Sequence, residues 1–196
     1  MRRFLLLAAL MLLAGVVAWW GMRATQGPPP APSAPEVIAP APPAPRQVAV
    51  YFAREMPDGR FVLTPVQRPL ANPAAPATAA LQALVDGPTS AEERDGLLPT
   101  LPGGTRVLGV RVEQSEGDGS VAIANLSREL AENFNGGSGW EEIVLYSIAN
   151  TLDALAGVDA VRLQVEGAPV ESIGGHMAAN ELLRYNDRIV VRGQDR

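Results

Sequence analysis

Residues 138–167 read SGWEEIVLYSIANTLDALAGVDAVRLQVEG, and two periodicities in that stretch set the architecture. Val144, Leu145, Ile148, Leu152 and Leu155 recur at helical spacing, with Glu142, Ser147, Asn150 and Asp153 on the opposite side. Ser138-x-x-Glu141 has the spacing of a capping box, so a helix is expected over Trp140–Ala156, stopped by Gly157. Val161, Leu163 and Val165 then alternate with Arg162, Gln164 and Glu166, the pattern of a strand with one wet face.

Strand and helix signals alternate upstream as well. Val48–Ala53 and Phe61–Val66 flank Pro57-Asp58-Gly59 and read as a hairpin. Ala77, Ala80, Leu81, Leu84 and Val85 share a helical face that ends at Gly87-Pro88. Thr89-x-x-Glu92 and Ser90-x-x-Glu93 each fit a capping box for one helical turn before Gly96. Arg106–Gln114 and Ser120–Leu126 form a second hairpin around Glu116-Gly117-Asp118-Gly119, and Ile189–Val191 reads as a last strand. The expected fold is α+β: a two-layer α/β sandwich, with two main helices on one face of a mixed sheet.

Ahead of this domain, Arg2-Arg3 precede an uncharged run of 19 residues, Phe4–Met22. As a helix the run would be about 28 Å long, enough for the bilayer's hydrocarbon layer. The positive charges before it place the N-terminus in the cytoplasm and the rest outside, with Trp19 and Trp20 at the outer interface. The competing reading is a cleaved signal peptide, with its cleavage site at Val16-Val17-Ala18. A retained single-pass anchor fits the length and the tryptophans better. Without cysteine there is no site for lipid attachment. Residues 27–46 hold nine prolines in an alanine-rich background, a semi-rigid polyproline-like spacer, or else a ligand for aromatic-lined grooves. The expected organisation is 1–26 anchor, 27–46 linker and 47–196 folded domain.

Composition removes several chemistries. Zero cysteines exclude disulfides, thiolate metal sites and a cysteine nucleophile. All 16 basic residues are arginine, so Schiff-base, phosphate-loop and Ser-x-x-Lys mechanisms are excluded too. From Gln47 onward, 12 arginines face 20 acidic residues, a net charge of −8 that disfavours nucleic acid. His176 is the single histidine, next to Ser172 and Glu171 in a loop context, and reads as a loop residue ahead of a general base. Gly136-Gly137-Ser138-Gly139 fails the nucleophile-elbow spacing because Trp140 takes the final glycine position. No cofactor, metal or catalytic set is expected, and a carboxylate pair acting on cell-wall glycan is the alternative reading.

The domain also resembles the GerMN family of extracytoplasmic sporulation and germination modules. The resemblance rests on Val50-Tyr51-Phe52, Val66-Gln67-Arg68, ALQALVDGP at 80–88, LPGGT at 101–105 and Val121–Ser127. It continues through Gly137-Ser138-x-Trp140-Glu141-Glu142, Ile148-Ala149-Asn150-Thr151-Leu152, Val161–Gly167 and Ile173-Gly174-Gly175-His176. These run in the family's order over most of 48–192. The resemblance implies a small α/β fold outside the membrane and a non-catalytic role in envelope, cell-wall or trans-envelope assembly. Its partners would be envelope proteins or peptidoglycan, and Gly174, Gly175 and His176 form the candidate interaction loop. The family's sporulation protein carries two such domains, and this chain carries one.

Overall fold

A computed structural model describes residues 47–191. The expected membrane segment and Pro/Ala linker lie outside the described residues. Among those described, no helix is long and apolar enough to cross a membrane.

Strand β1 (Gln47–Glu55) pairs antiparallel with β2 (Phe61–Pro69) in the register Glu55↔Phe61 to Gln47↔Pro69. Gly59, at φ 80°, makes the intervening turn, where its N–H reaches the Met56 carbonyl at 2.8 Å. Helix α1 (Pro76–Asp86) and the short α2 (Ser90–Arg94) follow, then β3 (Leu97–Leu98) on the other side of β1. Strands β4 (Val107–Ser115) and β5 (Gly119–Leu126) form the second hairpin. A turn, α3 (Glu129–Glu132), leads to the long α4 (Ser138–Asp153). Strand β6 (Ala160–Val165) then pairs parallel with β5, and β7 (Ala168–Pro169) finishes that sheet.

The fold is α+β, but the strands form two sheets, β2-β1-β3 and β4-β5-β6-β7, where the pattern implied one. The β2 edge of the first cannot grow outward easily, because Pro65 and Pro69 donate no ladder hydrogen bonds. On the other side, β3 covers only Ala53 and Arg54 of β1. The helices bridge the two sheets: α1 contacts β1 and β4, and α4 contacts β1, β2 and β6. Both sides of β1 are therefore buried. Val48, Val50 and Phe52 join Ala122, Ala124, Leu163 and Leu152 in the main core, while Tyr51 and Ala53 join Leu63 and Ile143 in a smaller cluster.

Helix α4 is buried almost all round for the same reason. Ser147 and Asn150, expected on a wet face, are fully buried. Each is satisfied. Ser147 Oγ donates to the Val144 carbonyl at 2.8 Å, and Asn150 exchanges two bonds with the Asn186 backbone at 2.9 and 3.1 Å. Thr151 Oγ1 accepts the Tyr51 N–H at 3.1 Å, tying α4 to β1.

Two local expectations also change. Residues 187–189 form a 3₁₀ turn, and only Val190 bridges to Leu63, so no closing strand develops at Ile189–Val191. Of the two overlapping capping boxes at 89–93, Thr89 with Glu92 is the one formed, and Ser90 is the first helical residue.

Candidate functional site

The N-terminal end of α4 is where the sequence's most unusual residues meet. Its N-cap is Gly137, and Ser138 makes no capping hydrogen bond, so the expected Ser138–Glu141 capping box is absent. Glu141 is instead fully buried, turned toward the loop after β7. Its Oε1 accepts Ser172 Oγ–H at 2.6 Å, Gly174 N–H at 2.8 Å and Ile173 N–H at 3.1 Å. Its Oε2 accepts the His176 N–H at 2.9 Å. Ser172 Oγ in turn accepts the Gly175 N–H at 2.6 Å, closing the loop on itself.

Burial alone would push the Glu141 carboxyl up. The bonds from Ser172, Gly174, His176 and Ile173 outweigh it and hold the group below its ordinary range. The glycines make this wrapping possible. A Cβ on Gly174 would lie 2.3 Å from Phe134 Cε1, and Gly175 sits at φ 82°. The candidate interaction loop is thus brought together, with Gly174 and His176 committed through their backbones. The His176 side chain is exposed and makes no hydrogen bond or ion pair among the described residues. Ser172 faces Glu141, so the neighbours considered with His176 do not assemble into a nucleophile and base.

The other flank of the same helix end holds a groove of about 490 Å³, lined by Arg60, Phe61, Ser138, Trp140, Glu142 and Arg188. Phe61 and Trp140 meet edge to face, 4.8 Å between centroids at 76°. Gly136 lies against the indole so closely that a Cβ there would be 2.6 Å from Trp140 Cδ1. Arg60 is exposed and paired with Asp58 at 2.7 Å. The groove brings together an aromatic wall, two guanidinium groups, the Glu142 carboxylate and a glycine-rich backbone. A second recess, about 540 Å³, runs along the alanine face of α1 and is lined by Pro69, Ala75, Ala79, Ala83 and Arg68. Arg68 lies 5.5 Å over the Phe52 ring and pairs through its two terminal guanidinium nitrogens with Glu92, whose carboxyl the pairing lowers to about 2. Among the described residues, no cluster of three or more His, Cys, Asp or Glu is arranged to hold a metal.

The sequence reading missed the role of Glu141. Its signal was present: Glu141 stands in register with Val144, Leu145, Ile148 and Leu152, on the buried stripe of α4. The local Ser-x-x-Glu spacing pointed to a cap and hid it.

The fold and this helix end together define a small α+β module built around one buried carboxylate. The family model described as "Germane: Sporulation and spore germination" matches residues 49–171, and the chain belongs to that family. Among solved structures, the first GerMN domain of the sporulation protein GerM from Bacillus subtilis is similar, with a TM-score of 0.53 and 23% identity over 71% of this chain and 97% of that one. The tandem GerMN domains of the same protein give a TM-score of 0.48 and 20% identity, over 70% of this chain and 46% of that one. A candidate lipoprotein from Clostridium perfringens gives 0.49 and 21%, over 71% and 87%. No curated protein matches the chain.

Proposed function

We propose that this chain is a membrane-anchored, extracytoplasmic, non-catalytic interaction module of the bacterial cell envelope, serving a cell-wall or trans-envelope assembly. Membership of a sporulation and germination family supports this reading. So does the order of Arg2-Arg3, the apolar run Phe4–Met22 and the Pro/Ala-rich stretch ahead of the domain. The observation that carries it is the groove at the start of α4. Its Phe61–Trp140 wall and flanking Arg60 and Arg188 give the mixture of aromatic anchor and arginine that recognition surfaces favour.

The reading is tested with the full chain in detergent. Sedimentation with purified sacculi reports peptidoglycan binding, and photo-crosslinking from position 138 in cells reports an envelope protein at the groove. Binding in either assay, reduced about tenfold or more by Arg188→Glu, supports the proposal. Release of muropeptides by the wild-type protein, lost on replacing a carboxylate, would replace it with a wall hydrolase. Absence of both binding and cross-linking would reject the groove as the interaction surface.

A further inference from the structure

The two sheets treat their open edges differently. On β2, Pro65 and Pro69 interrupt the donors, and Val191 N–H occupies the Leu63 carbonyl at 2.9 Å. On β4, none of the nine residues Val107–Ser115 is proline, and among the described residues no strand or bridge lies beyond it. This strand also carries two of the large exposed apolar side chains, Leu108 at 46% and Val112 at 47% exposure. Leu108 sits at an irregularity in the β4–β5 register, between Val107 and Gly109. Arg111 and Glu113, both about half exposed, lie one residue either side of Val112 and pair with each other at 2.6 Å.

We propose that the β4 edge is a homotypic interface, pairing antiparallel with β4 of a second copy about a twofold axis through Val112. In that register Val112 faces its own equivalent, and Val110 faces Gln114. Arg111 of each copy faces Glu113 of the other, so the charge pair is formed twice across the seam. The alternatives are worse. A twofold seam keeps each sheet's faces aligned, so the register can shift only so that another residue of the strand sits on the axis. Placing Arg111 there sets guanidinium against guanidinium, and placing Glu113 there sets carboxylate against carboxylate, both destabilising when directly opposed. Placing Val110 there sets Arg111 against Gly109 and Glu113 against Val107, with no charge pair across the seam. The present Arg111–Glu113 contact is what such a strand makes with the partner missing. The self-complementary order Arg-Val-Glu favours a second copy over an unrelated strand. This inference does not depend on the groove at α4.

The chain has no cysteine, which makes the test clean. Val112→Cys in the full chain in detergent, under mild oxidation, places two thiols at about 4.5–5.5 Å between α-carbons, within disulfide range. Covalent dimer should form in high yield there, and little should form with Gln67→Cys on the proline-guarded edge. Arg111→Glu alone and Glu113→Arg alone should each weaken association by about tenfold or more, by sedimentation, because each creates like-charge pairs. Mixing the two variants should restore association, because two carboxylates on one copy then face two guanidinium groups on the other. Equal cross-linking at positions 112 and 67, or single charge variants that associate as the wild type does, overturns the proposal. So does a mixture that stays monomeric.

Discussion

The Oε1 of Glu141 accepts the backbone N–H of Gly174 at 2.8 Å, joining the first turn of α4 to a loop 33 residues further along the chain. With Ser172, Ile173 and His176 also donating, a buried charge is neutralised entirely by dipoles. Glu141→Gln keeps the shape but turns an amide N–H₂ toward N–H donors. We expect a loss of about 2–4 kcal/mol, read as a lower urea midpoint with an unchanged slope.

Acid should expose the same dependence. Glu141 and Glu92 are both held below the ordinary carboxyl value of 4.5, Glu92 at about 2 through its bonds to Arg68. A group depressed in the folded state adds stability that is complete above its unfolded value and is lost as pH falls through its folded value. Urea midpoints should therefore be level above about pH 5 and fall between 4.5 and 2. Glu92→Gln should flatten that fall. An unchanged pH profile in this variant would show that the Arg68 pairing does not persist in solution.

Gly174→Ala places a methyl 2.3 Å from Phe134 Cε1 and 3.1 Å from Glu141 Oε2. Overpacking of this kind costs about 1–3 kcal/mol. Adding Phe134→Leu should recover part of the loss relative to the two single effects. Simple additivity would mean that the clash is relieved elsewhere.

Ser138→Ala should change stability by less than about 0.5 kcal/mol, because Gly137 is the N-cap and Ser138 makes no capping bond. Leu152→Ala, fully buried in the main core, should cost about 2–5 kcal/mol. Equal urea midpoints for the two variants would contradict the placement of α4.

His176→Gln should move stability by less than about 0.5 kcal/mol, since the bond to Glu141 uses the backbone N–H and the side chain is exposed. Ser172→Ala removes both a donor to Glu141 and the acceptor for Gly175, and should cost about 1–3 kcal/mol. The ordering of the two effects is the check.

Much of the fold was legible because it is local. The β1–β2 and β4–β5 hairpins, α1, α4 and β6 follow from two periodicities and from turn residues such as Gly59 and Gly117. The split into two sheets was not legible. It depends on which strand lies beside which, and β1 carries the same apolar alternation whether or not a further strand joins it. Ser147 and Asn150 read as surface residues because polarity marks exposure only on average, and here the Val144 and Asn186 backbones satisfy them in the core. The candidate loop Gly174-Gly175-His176 was found through the family resemblance. That its backbone closes around Glu141 could not be read from spacing, because the partners stand 31 to 35 residues apart in the chain.

The match to the family model ends at residue 171, immediately before the donors that surround Glu141. The segment beyond it also lays Leu183 against Val161 and Asn186 against Asn150. Without the chain beyond residue 171, Glu141 would lose all four of its donors and its carboxylate would have to reach water or take up a proton, so the first turn of α4 depends on residues outside the matched stretch.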